Sequence, residues 1–125
     1  MNRDEFVERY VNIVQRALDC AEKARREGLL AVEDEIVGEK AEKRDIFEYG
    51  LRFVIDGIDP EVVEKILSNI VDQEKDEQMK KLKTIQKEAV HAMQEGMHPR
   101  LIYFLLNSYT DIAIEDDVFR KTWEM

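Results

Sequence analysis

Apolar residues recur every three or four positions through the first part of the chain, at Phe6, Val7, Tyr10, Val11, Val14, Leu18 and Ala21. They form one stripe of an amphipathic helix over 4–27, with Asn2 or Asp4 as its N-cap. Leu29, Leu30 and Val32 carry the stripe on, but Gly28 interrupts it at a cost of ~1 kcal/mol relative to alanine in a helix interior. Gly28 is therefore expected at a bend or a close packing point, followed to residue 36 by a short second helix or a bent extension. Residues 37–43 lose the periodicity and read as a surface loop. Asp45 is placed to cap the next element.

The second half repeats this logic. Ile46, Phe47, Leu51, Val54 and Ile55 predict a helix over 45–56, with the FVI run leaving some strand character. Gly57 suits a left-handed terminating position, Asp59 an N-cap and Pro60 the first helical turn, where its missing N–H costs nothing. Val62, Val63, Ile66, Leu67, Ile70 and Val71 then make a stripe that resumes at Leu82, Ile85, Ala89, Met93 and Met97. The intervening charged stretch contains only Met79 as an apolar residue. Eleven residues at ~100° each return to nearly the same face, so one long central helix over about 60–95 is expected, with a reversal near Lys75 to Gln78 as the alternative. Gly96 ends this element, His98 takes the next cap and Pro99 opens an apolar helix through Leu106. An acidic terminal helix over 111–123, with Trp123 docking on the body, is expected within C-terminal helices over 99–124, and a disordered end is the alternative.

The elements predict an all-α compact domain of about five to six helices, occupying 1–125 as a single unit. Charged residues at 38%, with only five glycines and two prolines, fit that class. The formal charge of −9 and the lack of a concentrated basic face argue against a nucleic-acid partner. The lysines between Met79 and Lys87 follow the acidic 72–78 stretch and read as a solvated helix face. One cysteine, Cys20, excludes an intramolecular disulfide and fits a reducing compartment. The N-terminus is charged throughout, unlike a secretory signal, and no apolar run approaches the ~18–20 residues that span a bilayer. A cytoplasmic protein without membrane insertion is the expectation.

Little catalytic chemistry is legible. His91, Glu95 and His98 have spacings that would suit zinc or nickel, but Gly96 and Pro99 end the helix between them and no fourth ligand is evident. Surface histidines, with His98 as a cap, are the favoured reading. No phosphate loop, serine elbow, CxxC pair or calcium loop occurs, so neither enzyme activity nor a cofactor is expected.

Charge at the first bend is more informative. Glu22 and Arg26 sit four apart in the favourable order and Lys23 and Glu27 in the reverse order, so each pair can satisfy itself on the helix surface. Arg25 and Glu33 have no opposite charge at that spacing. On a continuous helix they would lie ~12 Å apart along the axis, both available to another molecule.

The run Ala24, Arg25, Arg26, Glu27, Gly28, Leu29, Leu30, Ala31, Val32, Glu33 resembles the cytoplasmic segment of the MotA family of flagellar stator proteins. Phe53-Val54-Ile55-Asp56-Gly57-Ile58-Asp59-Pro60-Glu61-Val62-Val63 is similar to that family's next segment. Residues 83–100, with Gly96, Pro99 and Arg100, resemble its final cytoplasmic segment. Together these cover roughly residues 6–106. The family's transmembrane helix pair between the last two segments is missing, replaced by KDEQMKKLK. In the family a conserved arginine and glutamate eight apart face charged residues of the rotor switch protein. The resemblance thus implies Arg25 and Glu33, with neighbouring Arg26 and Glu22, as partner-binding residues.

On this reading the chain is a non-enzymatic flagellar-motor interaction module without ion conduction of its own, its partner a FliG-like rotor switch protein. A stand-alone helical adaptor or regulator with a different protein partner is the alternative. A homo-oligomer is left open.

Overall fold

The computed structural model describes residues 1–36 and 45–112. Among these residues five α-helices and one 3₁₀ helix form, and no strand occurs, so the all-α expectation holds. The helices are α1 (Arg3–Glu27), α2 (Ile46–Ile55), α3 (Pro60–Asp72), α4 (Glu77–Gln94) and α5 (Pro99–Asn107), with the 3₁₀ helix Leu29–Glu35 between α1 and α2. The loop expected over 37–43 lies outside the described residues, as does the terminal helix beyond Ile112.

Each α-helix begins at a side-chain cap. Asn2 Oδ1 accepts from the Glu5 N–H at 2.8 Å, which decides between the two candidate caps of α1. Asp45, Asp59 and Asp76 cap α2, α3 and α4 in the same way, and the His98 ring nitrogen Nδ1 accepts from the Arg100 N–H at 3.0 Å to cap α5. Such caps satisfy orphan N–H groups and contribute ~1 kcal/mol each. Pro60 and Pro99 occupy the first turns of α3 and α5.

The single helix expected over 60–95 is two helices. α3 ends at Asp72, the Gln73 and Glu74 N–H groups bond back to Ile70 and Val71, and Asp76 restarts the chain as α4 by accepting from the Met79 N–H at 3.0 Å. The physical reason is the charged 72–81 stretch. A straight helix would have set the two apolar runs end to end on one face, unable to cover each other, whereas reversal packs α3 on α4 and buries Val63, Leu67 and Val71 together with Leu82, Ile85 and Ala89. Ion pairs close the hairpin: Lys83 Nζ reaches Glu74 Oε1 at 2.8 Å, and Lys87 Nζ reaches Glu64 Oε1 at 3.0 Å and Ser68 Oγ at 3.2 Å. The reversal weighed near Lys75 to Gln78 is the arrangement found.

α4 is the central element, packing against α1, α2, α3 and α5. Tyr10, Val14 and Leu18 of α1, Ile46 and Leu51 of α2, Leu67 of α3, Leu82 and Ile85 of α4, and Ile102 and Leu106 of α5 are all essentially inaccessible. Burying each such aliphatic side chain stabilises by ~1.5–3 kcal/mol. Gly50 sets how closely α2 approaches: a Cβ there would stand 2.8 Å from a Val90 methyl and 2.9 Å from a Leu67 methyl. At the far end, Tyr10 donates its hydroxyl to Asn107 Oδ1 at 2.8 Å, tying α1 to α5, and burial pushes the phenol pKa up to about 12.

Candidate functional site

α1 ends where its stripe is interrupted. The Gly28 N–H closes the last turn on the Ala24 carbonyl at 2.9 Å, and the residue then takes φ +94°. No atom lies within 4 Å of where a Cβ would be, so the glycine is required by its backbone angle and not by close packing. Of the two expectations for Gly28, the bend is the one realised. The chain turns into the 3₁₀ helix, anchored by Val32 and Ile36 in the core. Leu30, expected in the apolar cluster, points outward at 71% exposure.

The bend rearranges the charges. Lys23 does not pair with Glu27; its Nζ reaches Glu35 Oε1 at 3.0 Å, stapling the 3₁₀ helix to α1. That hydrogen bond raises the lysine pKa. Arg25 is not without a partner either. Its Nε and Nη2 donate to Glu22 Oε2 and Oε1 at 3.2 and 2.9 Å, a pairing at three residues and not at four. The Glu22–Arg26 pair forms as expected, with Arg26 Nε donating to Glu22 Oε1 at 2.8 Å.

One carboxylate therefore holds two guanidiniums. Glu22 is 5% exposed and, among the described residues, is the charged residue that is buried. Burial by itself would raise its pKa, but the hydrogen bonds and charges of Arg25 and Arg26 outweigh burial and hold it below the usual glutamate value. The arginine side chains stay 41% and 47% exposed, at the helix end where cations are favoured by the backbone dipole. The burial of Glu22 had a signal in the sequence. Tyr10, Val14 and Leu18 form an i, i+4 row of wholly buried residues, and Glu22 is the next member.

Glu33 lies past the bend on the 3₁₀ helix, and its exposed side chain makes no hydrogen bond or ion pair among the described residues. Its neighbour Asp34 and Glu27, the last residue of α1, are exposed as well. Of the four residues singled out from the sequence, three, Arg25, Arg26 and Glu33, thus present charge at one corner, and Glu22 lies beneath the arginines. The corner can bind by charge; it has no nucleophile or acid–base pair poised for reaction.

The other chemistry-bearing residues do not assemble. His98 is occupied as a cap, and His91 Nε2 lies 3.9 Å from Glu95 Oε1. Among the described residues no three His, Cys, Asp or Glu side chains gather as metal ligands. Cys20 is buried, and burial pushes its thiol up to about 11. A groove of about 580 Å³ runs between α1, α4 and the end of α5, lined by Arg3, Phe6, Glu77, Lys81, Tyr109 and Asp111. Its charges are of mixed sign, and Arg3 already pairs with Asp111 at 3.2 Å. No described helix is long and apolar enough to cross a membrane.

No protein-family model matches the chain, and no solved structure matches it significantly. Curated relatives do. Motility protein A of Borreliella burgdorferi is 40% identical over 63 residues, which is 50% of this chain and 23% of that protein. Motility protein A of Treponema phagedenis is 47% identical over 57 residues, 46% of this chain and 21% of the relative. That of Treponema pallidum is 42% identical over 65 residues, 52% and 23%. The matched stretch spans less than a quarter of each relative's length. Over about half of its own length, the chain resembles a fragment of Motility protein A.

Proposed function

We propose that this chain is a non-enzymatic, cytoplasmic interaction module of the flagellar motor that meets a rotor switch protein through the charged corner at the end of α1. The likeness to Motility protein A, at 40–47% identity in three relatives, is the observation that carries this reading. The corner supports it. Arg25, Arg26 and Glu33 are exposed on both sides of the Gly28 bend, and the Glu33 side chain has no partner among the described residues. The chain by itself conducts no ions on this reading and acts by docking.

Charges of this kind steer and orient a partner, and their effect falls as salt screens them. The test is calorimetric titration of the purified protein with the charged C-terminal domain of the rotor switch protein at low and high ionic strength. Binding that weakens with salt and drops about ten-fold or more in Arg25→Glu and in Glu33→Lys supports the module. Absent binding at low salt, or affinities unmoved by both reversals, rejects it.

A second reading, an adaptor with a different protein partner, is favoured by one observation. Leu101 and Phe104 stand 55% and 54% exposed, three residues apart on α5. Partner binding that is lost in Phe104→Ser and retained in Arg25→Glu would select it.

A further inference from the structure

We infer that Glu22 is a positioning residue: buried beneath the end of α1, it fixes Arg25 and Arg26 as a preformed donor pair for a carboxylate on the partner protein. This rests on the docking reading above and assigns Glu22 a place different from that of a contact residue. At 5% exposure its carboxylate cannot reach another protein, and both of its oxygens are already engaged by the arginines.

The division of donors is set by the three hydrogen bonds. A guanidinium has five N–H groups in a fixed fork. Arg25 spends its Nε–H and one Nη2–H side-on against Glu22, leaving three N–H groups, two on Nη1 and one on Nη2. Arg26 spends only Nε, so both of its terminal nitrogens face outward. Each arginine therefore keeps a terminal fork able to take a carboxylate by two parallel hydrogen bonds, and Arg26 keeps one more free N–H than Arg25. A long side chain normally loses rotamer freedom on docking, at ~0.5–1.5 kcal/mol each. Glu22 imposes that ordering before the partner arrives.

Charge selects the ligand chemistry. The protein carries a formal −9, so a broadly acidic partner would be repelled at long range. Exposed Glu27 follows the arginine pair directly, and exposed Glu33 and Asp34 come after the bend on the 3₁₀ helix. The complementary surface is a protein face on which an acid is flanked by bases.

A merely structural Glu22 behaves differently from a positioning one. The arginines are 41% and 47% exposed, so removing the carboxylate leaves no buried unpaired cation; Glu22→Met keeps the fold while removing both acceptor oxygens, and Glu22→Gln keeps one. The first measurement is nitrogen-15 NMR of the free protein. The Nε–H signals of Arg25 and Arg26 should be protected from exchange in the wild type and lose that protection in Glu22→Met. The second is affinity for the rotor switch domain, read with a thermal melt of every variant. Glu22→Met and Glu22→Gln should weaken binding by about 2- to 10-fold, whatever their melting temperatures. Adding Glu22→Met to Arg26→Lys should weaken binding less than the two single effects multiplied. Unprotected Nε–H groups in the wild type, affinities that track melting temperature alone, or fully multiplicative effects overturn the assignment. Protected Nε–H groups in a protein that does not bind the domain at low salt reject the rotor partner while leaving the ordering of the arginines by Glu22 intact.

Discussion

The α3–α4 hairpin and the corner at the end of α1 both place carboxylates against cations, yet they use them differently. In the hairpin the pairs cross between helices: Lys87 of α4 takes Glu64 and Ser68 of α3, and Lys83 takes Glu74 in the turn. Lys87 is 15% exposed and has little left to offer a partner. At the corner the pairs run along one helix, from Glu22 to Arg25 and Arg26, and nearly half of each arginine remains outside. Charge spent between elements closes a fold, and charge anchored within one element can be presented.

Breaking the core behind the hairpin should have the largest effect. Leu67→Ala removes a wholly buried side chain between α2, α3 and α4 and should cost ~2–5 kcal/mol in denaturant unfolding. Gly50→Ala, whose added methyl meets Val90 and Leu67 below 3.0 Å, should cost ~1–3 kcal/mol in the same experiment. Lys87→Met should cost ~1 kcal/mol, since it leaves Glu64 and Ser68 without their shared donor. Glu33→Lys should fall within ~0.5 kcal/mol of wild type, because no described side-chain partner is lost.

The two regions also differ in their response to pH. Burial alone would raise Glu64 and lower Lys87, but each group's bond to the other outweighs it, so Glu64 lies below its ordinary 4.5 and Lys87 above its ordinary 10.5. A lowered acid stabilises fully above its unfolded value and loses that contribution as pH falls through the folded one; a raised base stabilises fully below its unfolded value and loses it as pH rises through the folded one. The hairpin bridge therefore weakens at both acidic and alkaline extremes. The Glu22 cluster weakens on the acid side, as pH falls through the lowered value of its carboxylate. Stability profiles of Lys87→Met and Glu22→Met should flatten at both ends and at the acid end respectively.

Much of this was legible in the sequence, and the remainder was hidden for definable reasons. The helix starts were readable because Asp45, Asp59 with Pro60, and His98 with Pro99 act locally. The bend at Gly28 was readable for the same reason. The break at Gln73–Asp76 was ambiguous because eleven residues restore the helical face whether or not the chain turns; the choice depended on burying two stripes against each other. Lys23 left Glu27 for Glu35 because the 3₁₀ helix folds back toward α1. Arg25 looked free because its acceptor stands three residues away, where a four-residue spacing shows only Ala21 and Leu29. Glu22 looked like a surface residue because its charge masked its place in the Tyr10, Val14, Leu18 row.

The most direct measurement compares one residue from each region: affinity of Arg25→Glu and of Lys87→Met for the rotor switch domain at low ionic strength, with thermal melts of both. Arg25→Glu should lose about ten-fold or more in affinity and also melt lower, because it sets a second carboxylate beside buried Glu22 in place of its side-on partner, whereas Lys87→Met should melt lower and bind as the wild type does. Equal affinities in the two variants, or weakened binding in Lys87→Met alone, would contradict a docking role for the corner.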